Sequence, residues 1–183
     1  MNASRCWVIL AVALTLAVPT ALVARHERLL ATGTPVLLPL RPVDPRSLMQ
    51  GDYMALDYAL LDAVARTVTA EGGPLRHVRH GDTLYAFLRV DAQGVGRLLR
   101  VGTAASLARP GEQVLRVRWS GHGPWRFSAG RAELPSHAYF FAEGEGGYYA
   151  QARYAIWRVA DDGSALLEGL ADPDRQRMTS PAR

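Results

Sequence analysis

Residues 6–24 read CWVILAVALTLAVPTALVA, nineteen positions without a charge. At 1.5 Å per helical residue such a run spans roughly 28 Å, close to the apolar thickness of a bilayer. The run predicts a transmembrane helix within an anchor over residues 1–30. A cleaved signal peptide is the rival reading, and the Arg5 flank suits both. Cleavage after Ala24 would place Leu22 three residues back, and cleavage after Ala21 would place Pro19 there. Neither site has the small-x-small pattern, so an uncleaved anchor is favoured. Pro19 is tolerable in a membrane helix. Arg5 lies on one side of the run and Arg25, His26 and Arg28 on the other, a nearly even balance. Only five residues precede the run, which predicts a cytoplasmic tail and an exported C-terminal part, in a single-pass protein.

The remaining sequence suits one domain. The chain has 183 residues, 49% hydrophobic, with 21 basic and 17 acidic side chains. All the basic residues other than histidine are arginines. Without lysine there is no Schiff base, no P-loop and no Ser/Lys dyad. The lone Cys6 excludes an internal disulfide, a Cys-rich zinc site and a CxxC centre. Beyond residue 24 the arginines are scattered among the acids instead of clustered, which argues against nucleic acid as a partner.

Punctuation in the exported part is that of a β-rich chain. A linker over 31–35 leads to a strand at 36–41, and Asp44-Pro45 has the form of a cap and first helical position. A strand is expected at 53–60 and a short helix at 61–70, ended by Gly72-Gly73-Pro74. Residues 82–90 place Leu84, Ala86, Leu88 and Val90 on one face, and Asp91-Ala92-Gln93-Gly94 turns them into 97–101. Strand 112–120 alternates Leu115, Val117 and Trp119 with Arg116 and Arg118. Residues 125–127 should pair nearby. A second hairpin joins 154–160 to 165–170 through Asp161-Asp162-Gly163-Ser164, and the polar tail 172–183 should fray. The prediction is a mainly β fold, a single antiparallel, barrel-like domain over 36–171 with seven or eight strands and one or two short helices.

The octapeptide Gly51-Asp52-Tyr53-Met54-Ala55-Leu56-Asp57-Tyr58 resembles, at each specified position, the signature of the GDYXXLXY family of membrane-anchored bacterial proteins. The preceding Arg41-Pro42-Val43-Asp44-Pro45-Arg46-Ser47-Leu48 is similar to that family's approach to the motif. Tyr139-Phe140-Phe141-Ala142-Glu143-Gly144-Glu145-Gly146 resembles its aromatic-Glu-Gly segment, and 157–170 its closing hairpin, with Ala142 standing where proline is expected. The resemblance implies a tethered domain of unassigned activity at the inner membrane, working with a multi-pass membrane protein, and no cofactor is expected. From the residues themselves, Gly51 permits a turn whose amides Asp52 can accept, and Leu56 and Tyr58 share a strand face. That turn reads first as a structural staple. The functional reading makes Arg46, Asp52, Tyr53, Tyr58, Glu143 and Glu145 a binding site assembled from two loops.

Three catalytic readings are weaker. Ser47 near Gly51-Asp52 is faintly similar to the nucleophile region of signal peptidases, and without lysine a divergent hydrolase would need His77 or His80 as base, oriented by Asp82. The same His77, His80 and Asp82 suggest metal ligands, but Arg76 and Arg79 would repel a dication, so no metal is expected. Glu143 and Glu145 on a Gly-rich loop read as solvated before they read as a glycosidase pair. The sequence therefore favours a non-enzymatic accessory or binding module over an enzyme.

Overall fold

The computed structural model describes residues 3–41, 53–70, 73, 75, 77–121 and 130–179. Helix α1 (Ala3–Thr32) leads into β1 (Thr34–Pro39), followed by β2 (Tyr53–Ala55), α2 (Ala59–Thr69), β3 (Thr83–Val90) and β4 (Gly96–Gly102). A 3-10 turn (Ala105–Leu107) precedes β5 (Glu112–Ser120), β6 (Arg131–Glu133), β7 (Ala138–Phe140), the single turn α3 (Gly146–Tyr149), β8 (Tyr154–Val159) and β9 (Ala165–Ala171). The strands form three antiparallel sheets, ordered β1-β8-β9, β2-β7 and β4-β3-β5-β6.

Two junctions curl the larger sheets into a half-barrel. The Leu37 amide donates to the Gly94 carbonyl at 2.9 Å, setting β1 beside the β3–β4 turn, and the Arg116 amide donates to the Gly163 carbonyl at 2.8 Å, setting the β8–β9 turn against β5. Gly163 is at φ +82°, where a side chain is disfavoured, and a Cβ there would lie 3.2 Å from the Arg116 nitrogen. The concave face collects Val36, Leu38, Leu84, Leu88, Leu115, Val117, Trp157 and Leu170, all buried. Helix α2 packs across β4 and β6. Leu60, Val64 and Val68, four residues apart, are its buried stripe, and Asp62 in its first turn complements the helix dipole.

Both predicted hairpins are present, and strand 112–120 has its expected alternation, with Leu115, Val117 and Trp119 buried and Arg116 and Arg118 exposed. The structure adds a bulge to each hairpin. In the second, Ile156 pairs with Gly169 and Trp157 with Leu167, leaving Glu168 as the extra residue. Its carboxylate takes both Arg158 Nε at 2.6 Å and Arg177 Nη1 at 2.8 Å. Arg158 also donates to the Gly33 carbonyl at 3.2 Å.

Four expectations change. The strand expected over 53–60 ends at Ala55, and the helix starts at Ala59, because the stripe through Leu60 recruits the preceding turn. The linker 31–35 shrinks to Gly33, since residues 25–32 hold no Gly or Pro to stop α1 and its last turns dock on β8 and β9. A Cβ on Gly33 would meet the Leu29 carbonyl at 2.6 Å, so only glycine makes that exit. The tail is pinned through Met178, which is buried and whose amide donates to the Leu170 carbonyl at 2.8 Å. The helix itself does not end with the apolar run, and among the described residues no helix is long and apolar enough to cross a membrane. The helix start expected at Asp44-Pro45 and the pairing of 125–127 lie outside the described residues.

The Glu168 node makes a pH prediction. Its hydrogen bond from Arg158, reinforced by the charges of Arg158 and Arg177, holds the carboxyl below the ordinary value of 4.5. A carboxyl lowered by folding contributes stability that is complete at neutral pH, declines below that ordinary value and is gone beneath the depressed one. Glu168→Gln should cost about 1–2 kcal/mol at pH 7. It should also flatten the fall in melting temperature as the pH drops from neutral through and below that ordinary value. An unchanged acid limb would show that the node does not couple to folding.

Candidate functional site

The second half of the octapeptide builds a cleft. Leu56 and Tyr58 turn inward, 8% and 1% exposed, while Asp57 between them faces solvent. The chain is fixed there by three backbone bonds: Leu56 amide to His137 carbonyl, Leu61 amide to Tyr58 carbonyl and Arg41 amide to Asp57 carbonyl. Tyr58 also bridges Leu40. Its ring lies 6.0 Å from that of Trp157, and its hydroxyl donates to the Ser136 carbonyl at 3.3 Å. Burial pushes the phenol pKa well up, and the neighbouring Trp157 indole N–H pulls it slightly back. That N–H is buried and makes no hydrogen bond of normal geometry, so it senses the Tyr58 oxygen without capping it.

Above Tyr58 opens a cleft of about 590 Å³, walled by the first turn of α2, by β6 and by the loop to β7. Arg41 crosses one side, hydrogen-bonded to Asp62 and 3.8 Å from Asp57. The bond to Asp62 first of all keeps the Arg41 guanidinium firmly protonated. Across from it stand Arg131, Glu133 and His137, exposed. Arg131 makes no ion pair among the described residues. The cleft thus presents one neutralised arginine, one available arginine and a wall of carboxylates and carbonyls, an arrangement suited to a polar or zwitterionic partner surface.

Strand β2, from the octapeptide, pairs with β7, from the aromatic segment, with Tyr53 opposite Phe140 and their rings 5.7 Å apart. Phe140 is 75% exposed. Behind it Tyr139, Phe141 and Tyr148 surround Tyr149 at ring distances of 5.0–5.3 Å. Burial, then the neighbouring Tyr139, pushes the Tyr149 hydroxyl up to about 12. Glu145 is 9% exposed and accepts from the Ala142 amide at 3.3 Å, shaping its own loop, whereas Glu143 is exposed. Neither lines the cleft. Arg46, Ser47 and Asp52 lie outside the described residues, so the Ser47 pairing with His77 or His80 does too. Asp82 accepts from the Arg79 amide at 2.7 Å, closing a turn. Among the described residues no three His, Cys, Asp or Glu side chains come together as metal ligands would.

Sequence reasoning missed Asp57, Asp62, Arg131, Glu133 and His137 as a group. Asp57 occupies an unspecified position of the octapeptide, and Asp62 was legible only as a helix first-turn acid. The others lie 69–80 residues further along the chain. No solved structure and no curated protein matches the chain. A family model described as GDYXXLXY protein matches residues 15–170, which takes in the end of α1, the octapeptide, the cleft and the closing hairpin. The chain therefore belongs to the GDYXXLXY family.

Proposed function

We propose that this protein is a membrane-tethered accessory module, in which α1 is the tether and the cleft beside Tyr58 receives another membrane component. The observation that carries the reading is the surface of α1. Trp7, Val12, Leu14, Leu16, Val18, Leu22 and Val23 are 53–70% exposed, and every residue from 11 to 28 is exposed. Apolar side chains on all sides of a helix are unfavourable in water. The domain lies C-terminal to that tether. The cleft supports a binding role because its arginines and carboxylates come from three separate stretches of chain that only the folded domain brings together.

Fractionation tests the tether. The full-length chain should stay with membranes through high salt and alkaline washing and be released by detergent. Leu14→Arg with Leu16→Arg places two charges mid-helix, each costing about 2.5–3.5 kcal/mol of insertion, and should shift the chain out of the membrane fraction. Arg131→Glu should leave partition unchanged and remove a multi-pass protein that co-purifies in mild detergent. A wild-type chain recovered in the soluble fraction refutes the tether.

A further inference from the structure

A second cavity, of about 820 Å³, lies where α1 meets the domain, and nothing in the reading above uses it. Leu22, Arg25, His26 and Leu29 form its helical wall. These positions are spaced i, i+3, i+4 and i+7, so they are one face of α1. The opposite wall is the outer face of β5, carrying Arg116 and Arg118, with Ser164 and Leu166 closing one end. The cavity shares Glu133, Leu134 and His137 with the cleft beside Tyr58, so the two are neighbours along one groove.

Charge in this cavity is only partly compensated. Arg25 and Arg116 reach the same carboxylate, Asp162, at 3.9 and 3.5 Å, and all three side chains are 44–67% exposed. Ion pairs that long and that exposed contribute little and leave both guanidinium groups with spare donors. Arg118 makes no ion pair among the described residues. Its ladder partner Glu133 is, among the described residues, the one acidic side chain in the wall.

We infer that this cavity binds a phosphate ester, with the headgroup of an anionic phospholipid as its source. Arg25 is the first charged residue after the apolar run, so the cavity straddles the step from apolar to charged surface on α1. With α1 in a bilayer, that step falls at the level of the headgroups, where basic side chains meet anionic lipid. Guanidinium groups converging from two elements suit bidentate recognition of phosphate oxygens. Leu22, Leu29 and Leu166 supply apolar surface for the lipid's glycerol and first methylenes. This inference rests on the tether reading for the lipid source, but not for the phosphate chemistry.

The test uses the full-length chain in a neutral detergent, titrated by calorimetry with short-chain phosphatidylglycerol, short-chain phosphatidylcholine and glycerol phosphate. Phosphatidylglycerol should bind saturably and weaken with added salt, and phosphatidylcholine should not bind saturably. Arg116→Ser with Arg118→Ser should weaken binding at least about tenfold, as expected for lost charged hydrogen bonds. Arg25→Ser, which leaves the sheet untouched, should weaken it too, while circular dichroism stays at wild type for both. Glycerol phosphate binding as tightly as phosphatidylglycerol supports the site and assigns it a soluble ester. Because no bilayer is used, saturable phosphatidylglycerol binding by a chain that fails the fractionation test still supports the site. Equal binding of the two lipids, or wild-type affinity in both arginine variants, overturns it.

Discussion

Tyr58→Ala should destabilise the domain by about 3–5 kcal/mol, the usual cost of emptying a buried aromatic site. In a chain of this length that corresponds to a melting temperature lower by roughly 6–20 °C. Tyr58 is 1% exposed, packs on Trp157 and forms the floor of the cleft. Its hydroxyl makes one long bond, 3.3 Å to the Ser136 carbonyl. Tyr58→Phe should therefore cost only about 1 kcal/mol, since the ring and its contacts remain. The pair of variants separates two meanings of the last signature position. If Tyr58→Ala melts at the wild-type temperature and only loses a co-purifying partner, the tyrosine belongs to the binding surface and the packing account fails. If Phe is as damaging as Ala, the hydroxyl holds the β6–β7 loop and cleft shape depends on it.

Local patterns carried the hairpins into view. Alternation in β3 and β5 and the Asp-Gly and Gln-Gly turns are short-range signals, and both hairpins formed where they pointed. Bulges left no such trace. Glu168 looked like one more polar residue, and only the shift between Ile156 and Trp157 turns it toward Arg158. Arg100 is similar: it covers Phe87 at 3.7 Å and pairs with Glu112 at 2.6 Å, capping an aromatic residue on the outer face of β3 that alternation alone would leave exposed. The polar tail read as frayed because composition does not report that Met178 fills a gap beside Leu170.

The cleft was less legible than the fold for a physical reason. Its floor comes from the octapeptide, but its walls come from β6 and the loop to β7, joined to the motif by the Leu56 bond to His137 and by strand pairing of β5 with β6. Such contacts are set by closure of the whole sheet, and no local spacing encodes them. The resemblance did better with β2 and β7, two matched segments far apart in sequence that the structure pairs directly. It also drew attention to Glu143 and Glu145, which the structure places beside an aromatic cluster and away from the cleft. The groove that runs from α1 to Tyr58 was invisible in the sequence because its shared wall, Glu133 through His137, carries no motif at all.

Gly130→Ala should be the other most damaging single change, at about 3 kcal/mol, the upper end of the usual cost of overpacking, although it adds only one methyl group. A Cβ at Gly130 would sit 2.0 Å from Cζ2 of Trp119 and within 2.8 Å of two further atoms of the same indole. Trp119 is 3% exposed and belongs to the core, and it is paired across the ladder with Ala132, two residues beyond the glycine. The new methyl must therefore expel the indole or pull β6 off β5, and either outcome also opens the wall of both cavities, since Glu133 and Leu134 follow directly. The clash is with the ring and not with the backbone, so shrinking the ring should relieve it. Trp119→Leu alone should lower the melting temperature, yet Gly130→Ala combined with Trp119→Leu should melt higher than Gly130→Ala alone, a coupling of the sign and size found between touching residues. Additive losses in the double variant would mean that Trp119 does not seat against the glycine.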